Sequence, residues 1–321
     1  MMKIGMVSDS LAAYSFAEML QIARAAGVKG IEFNAGNWST APHVSLDTMI
    51  SSADARADFR GQVESQGLAI VAFNANGNQL HPVHGEAHDA VIRKAIKLSG
   101  QMDLKTVVLM SGLPGANAAD TAPNWITTSW PPENREAVGW QWTERLLPYW
   151  RELARFAGDH GIETLAVEMH GSQLVYSPTT LIKLRNEIGP IVKANLDPSH
   201  LMWMGADAVQ SASYLGEAIG HVHGKDTFIN PRVASTASLM EYGPLDNVKD
   251  RAWSHCTLGY GHSRDWWASF CYHLQMAGYE GWVSIEHEDA NLGRVEGLTK
   301  AVNLLAETGI FGSADYSVQD I

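Results

Sequence analysis

Four residues with metal-binding side chains close four successive apolar runs: Glu168 follows TLAV, Asp197 follows IVKANL, His223 follows IGHV and Glu286 follows WVSI. Carboxylates sharing a cleft repel one another and lose hydration, so burying three of them beside an imidazole calls for a cation. An oxygen-rich set with one nitrogen suits Mn²⁺ first, with Mg²⁺, Co²⁺ and Zn²⁺ as alternatives, and leaves coordination positions for a substrate. Any one of the four, taken alone, is as readily a strand-end polar residue paired elsewhere. Their recurrence at corresponding positions is what points to a metal centre.

Further polar residues follow these ends. His200 comes three residues after Asp197 and is expected at the mouth as a substrate-binding or proton-relaying group. His170 lies two positions beyond Glu168, which on an extended segment puts both on one face. Lys225 and Asp226 follow His223, either to steady an oxyanion and orient a ligand or simply to pair with each other. His221 points with His223 in a regular strand and is expected behind it, whereas His287 faces away from Glu286. Asn76 and His262 are weaker candidates for binding substrate hydroxyls, as are Asn78 and His81, since such residues also fix turns. Trp125 and Trp130, with Trp203, are candidates to stack on a substrate, or else bury in loop packing.

What positions these groups is an alternation of short β-like runs with amphipathic helical stretches, the pattern of parallel βα units. Eight strands are expected: 3–7, 30–33, 68–73, 105–110, 164–168, 192–197, 221–224 and 282–286. Helical segments between them include FAEMLQIARAAG, DAVIRKAIKLSGQM, WTERLLPYWRELARFAGDHG, SPTTLIKLRNEIG and DWWASFCYHLQMAG, several closing on glycine (Gly27, Gly158 or Gly161, Gly189, Gly278). This predicts a (β/α)₈ TIM barrel, one domain over residues 1–321. A doubly wound sheet competes on strand count alone. It would gather its site at one switch point with a glycine-rich phosphate turn, whereas here the chemistry stands at the ends of several strands. Two insertions, 111–139 after the fourth strand and 225–262 after the seventh, are expected to be long loops roofing the pocket, the first without structure of its own.

Composition narrows the function. Among 321 residues, 45% are hydrophobic and 18% charged, an ordinary globular balance, and the net charge of −12 argues against nucleic acid or an anionic membrane as partner. Two cysteines, Cys256 and Cys271, form no C-x-x-C pattern, which excludes a disulfide framework and a thiolate zinc site. With no leader-like start and no long apolar run, the expected location is the cytoplasm.

The strings VEMH (167–170), NLDPSH (195–200), HVHGKD (221–226), GYGH (259–262) and SIEHED (284–289), with GNQLHP (77–82), resemble the sugar-phosphate isomerase/epimerase family, the xylose-isomerase-like TIM barrels, over nearly the whole chain. The resemblance implies that Glu168, Asp197, His223 and Glu286 hold the metal and that a proton is moved next to a chelated carbonyl. It further implies Glu168 and Glu286 as the two acid/base groups. It implies a small carbohydrate substrate (a sugar, sugar phosphate or cyclitol) and a homodimer or homotetramer. The ketose epimerases carry a further Glu and Arg where this chain has Leu174 and Ile229, with Arg232 or Arg251 as substitutes for the arginine. That departure keeps a second activity open: β-elimination on a 3-keto-glycoside by a keto-sugar lyase, or by the metal-bearing subunit of a C-glycoside deglycosidase with a small partner subunit. An abasic-site endonuclease, which shares the barrel, would need more histidines and a basic groove. A non-catalytic protein would tolerate Gln at positions 168 and 286.

Overall fold

The computed structural model describes residues 1–312 and residue 316. Among these, eight parallel strands close into a barrel: β1 (Lys3–Val7), β2 (Gly30–Asn34), β3 (Ala69–Asn74), β4 (Thr106–Met110), β5 (Thr164–Glu168), β6 (Val192–Leu196), β7 (Ile219–Gly224) and β10 (Trp282–Ile285). Two further strands, β8 (Asp226–Ile229) and β9 (Trp253–Cys256), pair antiparallel as a separate ribbon. Neighbours around the barrel follow chain order and β10 closes on β1, with Ile4 opposite Val283.

Side chains alternate along each strand, so one set points into the lumen and the other outward. The outward set, with the helices, builds the main core around Phe33, Phe73, Trp150, Trp267 and Phe270. The lumen holds a separate small cluster of Ala72, Val108 and Ala166. Trp282 and Val71 crowd its floor: a Cβ on Gly30 would meet each at 2.7 Å, so only glycine fits there. Above that floor the same lumen-facing register delivers Glu32, Asn74, Glu168 and His223, which is why the polar residues cluster at one end.

Helix ends follow local chemistry. Ser15 caps the helix Phe16–Ala26 in a capping box with Glu18, and Gly27 closes it at φ 96°. Ser177 does the same for Pro178–Ile188. Asp197 caps the short helix Pro198–Met204, its side chain accepting from the Ser199 amide at 2.8 Å.

Several expectations need correction. Strands β2 and β3 run one residue further than expected, β6 stops at Leu196, β7 begins at Ile219 and β10 ends at Ile285. The 111–139 insertion is irregular only to about residue 132; a helix starts at Glu133 and runs through a π-helical turn, Gln141–Leu146, into Leu147–Asp159. Gly158 lies inside that helix, and the left-handed position falls on Gly161 at φ 78°. The 225–262 insertion is no simple loop, because β8 and β9 hydrogen-bond across it and helix Pro231–Ala237 lies between them. No helix among the described residues is long and apolar enough to cross a membrane.

Candidate functional site

Four strand ends converge at the C-terminal mouth. Glu168 is the last residue of β5, Asp197 and Glu286 directly follow β6 and β10, and His223 is the penultimate residue of β7. His223 Nδ1 stands 3.4 Å from Glu286 Oε2, 3.7 Å from Asp197 Oδ2 and 3.9 Å from Glu168 Oε2. Donor atoms from all four lie within 4.8 Å of one another. All are buried except Glu286, which faces the cleft. Asp197 Oδ2 makes no hydrogen bond; Lys225 Nζ is 3.2 Å away, an ion pair without hydrogen-bond alignment. A buried carboxylate oxygen with a spare lone pair, amid hard oxygen donors and one imidazole, fits a divalent cation.

The remaining partners fix these donors. Asn76 Nδ2 donates to Glu168 Oε2 and His200 Nε2 lies 3.0 Å from Glu168 Oε1, so both carboxylate oxygens are held. Burial, reinforced by the neighbouring His170, holds the His200 imidazole well below its ordinary range, so it is neutral and donates from Nε2. Lys225 turns away from Asp226 and lies 2.5 Å from Glu286 Oε2 and 3.5 Å from Glu288 Oε2. Asp226 instead accepts the backbone N–H groups of Gly259, Gly261 and His262 and so organises the second insertion.

Behind this layer sits Glu32, fully buried in the middle of β2. Its carboxylate accepts from Asn74 at 2.8 Å, from His221 at 2.6 Å and from His223 Nε2 at 3.1 Å. Burial alone pushes this carboxyl up, but the two imidazoles outweigh it and hold it well below the usual range. The same balance acts on His223: desolvation lowers it most, and Glu32, Glu286 and Asp197 together raise it well above its ordinary value. Asp197 is likewise held well below the carboxylate range, burial being outweighed chiefly by the ammonium of Lys225.

A cleft opens above these groups, with His170, His200, Lys225 and Asn76 on its walls. The His170 and His200 rings are 4.0 Å apart. Trp125 does not enter this cleft; it packs edge-on against Tyr176 and Trp203 and lines an adjoining pocket that shares His170. Trp130 is 77% exposed and lines neither, because the loop carries it outward. His262 is also absent from the cleft, its Nδ1 lying 2.8 Å from Asp226 Oδ1. Nor does an arginine replace the one expected beyond the seventh strand: Arg232 pairs with Asp250 at the surface, and Arg251 pairs with Glu241 at 3.1 Å.

Sequence reading alone missed Glu32 and three residues that line the cleft, Trp38, Asn74 and His255. Glu32 left one signal, a carboxylate in the apolar run GIEF where a charge has no reason to be buried unless partnered. Register irregularities fall at the same places, between Ile31 and Glu32 and between Ala194 and Asn195, where an extra residue in the partner strand re-aims the side chains beyond it.

Solved structures share this architecture. A probable 3-DHS dehydratase, AsbF, from Bacillus anthracis superposes with a TM-score of 0.67 at 17% identity, covering 95% of this chain and 98% of the other. An L-ribulose 3-epimerase gives 0.62 at 15% identity (96% and 94%), and an IolI protein with a bound zinc atom gives 0.62 at 15% (95% and 97%). In sequence, the uncharacterised protein YfiH of Bacillus subtilis (strain 168) is 40% identical over 310 residues, 96% of this chain and 99% of its own. The family model described as xylose isomerase-like TIM barrel matches residues 20–308, and the chain belongs to that family.

Proposed function

We propose that this protein is a divalent-metal-dependent sugar isomerase or epimerase that moves a proton at a carbon next to a carbonyl. The observation that carries the reading is the convergence of Glu168, Asp197 and Glu286 on His223 Nδ1 at the barrel mouth. Those four residues would hold the cation, Mn²⁺ by donor chemistry, and a zinc atom in the IolI relative supports a metal on this fold. When bound, the ion supplies Lewis acidity to the substrate carbonyl.

The chain's own residues do the rest. Glu168 and Glu286 stand at the ends of β5 and β10, with β6 and β7 between them around the barrel, so they approach a bound substrate from different sides. One withdraws the proton and the other returns one. Asn76 and His200 fix the two oxygens of Glu168 beforehand, which removes a reorientation step. Lys225 is the ammonium nearest a developing oxyanion, and His170 with Asn76 offers hydrogen bonds to hydroxyls.

The lining also favours an uncharged substrate. Asp9, Glu168, Glu286 and Glu288 face the cleft, and Lys225 is its one lysine or arginine among the described residues, already engaged by Glu286. A phosphate ester finds no free basic partner there. We read the chain as one domain acting in the cytoplasm as a homodimer or homotetramer.

A second reading, β-elimination on a keto-glycoside, rests on the adjoining pocket walled by Trp125, Trp203 and Trp253, with Trp203 and Trp253 stacked 4.7 Å apart. It has room for a bulky leaving group, and the dehydratase among the structural relatives performs an elimination by its name.

Incubation with ketoses and keto-glycosides in D₂O, with Mn²⁺ or with EDTA, tests both. Deuterium in a product of intact skeleton, lost with EDTA, supports isomerisation; release of the C1 substituent supports elimination. Turnover that survives complete removal of metal rejects the proposal.

A further inference from the structure

Three donors converge on Glu32 from different strands: Asn74 on β3, and His221 and His223 on β7. His223 Nε2 lies 3.1 and 3.2 Å from its two oxygens. An ionised carboxylate only accepts, so a neutral His223 facing it carries its proton on Nε2. A neutral imidazole has one N–H and one lone pair, and fixing the first fixes the second. The lone pair is therefore on Nδ1, the nitrogen that faces Glu168, Asp197 and Glu286. Asn195 Nδ2 sits 3.3 Å from Nδ1 and 3.1 Å from Nε2, and so does not choose between them.

We propose that Glu32 is the positioning residue that sets the His223 tautomer and thereby makes Nδ1 a metal ligand, an inference resting on the metal-holding role given above to the four mouth residues. His221 completes the device. It takes Glu32 Oε2 at 2.6 Å with its ring nearly perpendicular to that of His223, at 87°, and Asn74 takes Oε1, so the carboxylate cannot rotate away. Partners of this kind orient ligating histidines in metal sites generally.

Glu32, His221 and His223 also present donor atoms within 4.8 Å of one another, the spacing of a second ion site. They spend those donors on each other at hydrogen-bonding distances, and none of the three lines the cleft. No position is left open there for an ion to enter.

The test uses the full chain, Mn²⁺ titrations followed by calorimetry, elemental analysis for ions per chain, and ¹⁵N spectra of the histidines with Zn²⁺ bound. The wild type is expected to bind one ion per chain with Nδ1 of His223 ligating and Nε2 protonated. In Glu32→Gln the negative charge is lost and one of the two oxygens facing Nε2 becomes an N–H₂ donor, so the Nε2 proton is held less firmly and Mn²⁺ binding is expected to weaken about 10–100-fold. The Glu32→Asp variant keeps the charge and should recover part of that loss. Affinity of Glu32→Gln within twofold of wild type overturns the proposal, as do two ions per chain or Nε2 ligation in the wild type. The wild-type spectrum decides even if Glu32→Gln fails to fold. A protein that binds one ion as described yet exchanges no sugar proton refutes the proposed activity and leaves this inference standing.

Discussion

Lys225 sets its ammonium 2.5 Å from Glu286 Oε2, so the protein carries an internal cation among the acids at the barrel mouth. Asp197 at 3.2 Å and Glu288 at 3.5 Å share it. Burial alone would lower the lysine's pKa, but these carboxylates raise it well above the ordinary value, and it stays charged. An incoming metal must therefore compete with this ammonium for Asp197 and Glu286.

Replacing it tests that competition. Lys225→Met leaves buried carboxylates without their counterion, which costs on the order of 3–5 kcal/mol in the metal-free protein. The same change removes the repulsion felt by an arriving ion, so Mn²⁺ is expected to bind about tenfold more tightly. Thermal unfolding with and without Mn²⁺ reads both effects as a wider gap in Tm than wild type shows. An unchanged gap means that Lys225 and the ion do not share these ligands.

The pH dependence of metal uptake follows from His223. Its folded-state pKa is raised above the ordinary 6.5, so the metal-free protein holds the extra proton at neutral pH. That proton's contribution to stability is fully present below about 6.5 and is lost as pH rises through the raised value. A metal ion needs the lone pair and must expel the proton, so affinity should climb with pH by about tenfold per unit until that value is passed. Calorimetry in buffers of different ionisation enthalpy should show about one proton released per ion at pH 7. Affinity that falls as pH rises from 6 to 8, before hydrolysis of the free ion, is the contrary result.

Substrate charge is open to a direct comparison. D-ribulose and D-fructose, each paired with its terminal monophosphate, present the same carbonyl with and without two negative charges. Asp9, Glu168, Glu286 and Glu288 on the walls predict that exchange of the α-proton, in whichever pair reacts, is at least about tenfold faster for the free sugar. Faster exchange of the phosphate would mean that a basic partner reaches the cleft.

How much of this was legible beforehand depends on how local each signal is. The strands KIGMV and TLAVE have the bounds that the sequence predicts, because each is a short apolar run set off by its immediate neighbours. The four strand ends are likewise local, and the structure brings Glu168, Asp197, His223 and Glu286 together. Glu32 was not legible as part of a site, since its partners His221 and His223 lie 189 and 191 residues away and only barrel closure joins them. The ribbon of β8 and β9 was hidden for a related reason: Asp226 and Cys256 pair across a long excursion with no tight turn between them. The helix Ala53–Ser65 buries only Phe59 and Val63, too few apolar positions to announce a face. Trp130 and His262 were chosen by residue type, and type alone does not say which way an insertion carries a side chain. Trp130 went outward, and His262 to Asp226.

The most direct test of the central claim is anomalous diffraction from crystals soaked in Mn²⁺. One strong peak per chain is expected at the barrel mouth, about 2 Å from His223 Nδ1 and from carboxylate oxygens of Glu168, Asp197 and Glu286. A fully soaked crystal with no peak there, or with its ion held by other residues, contradicts it.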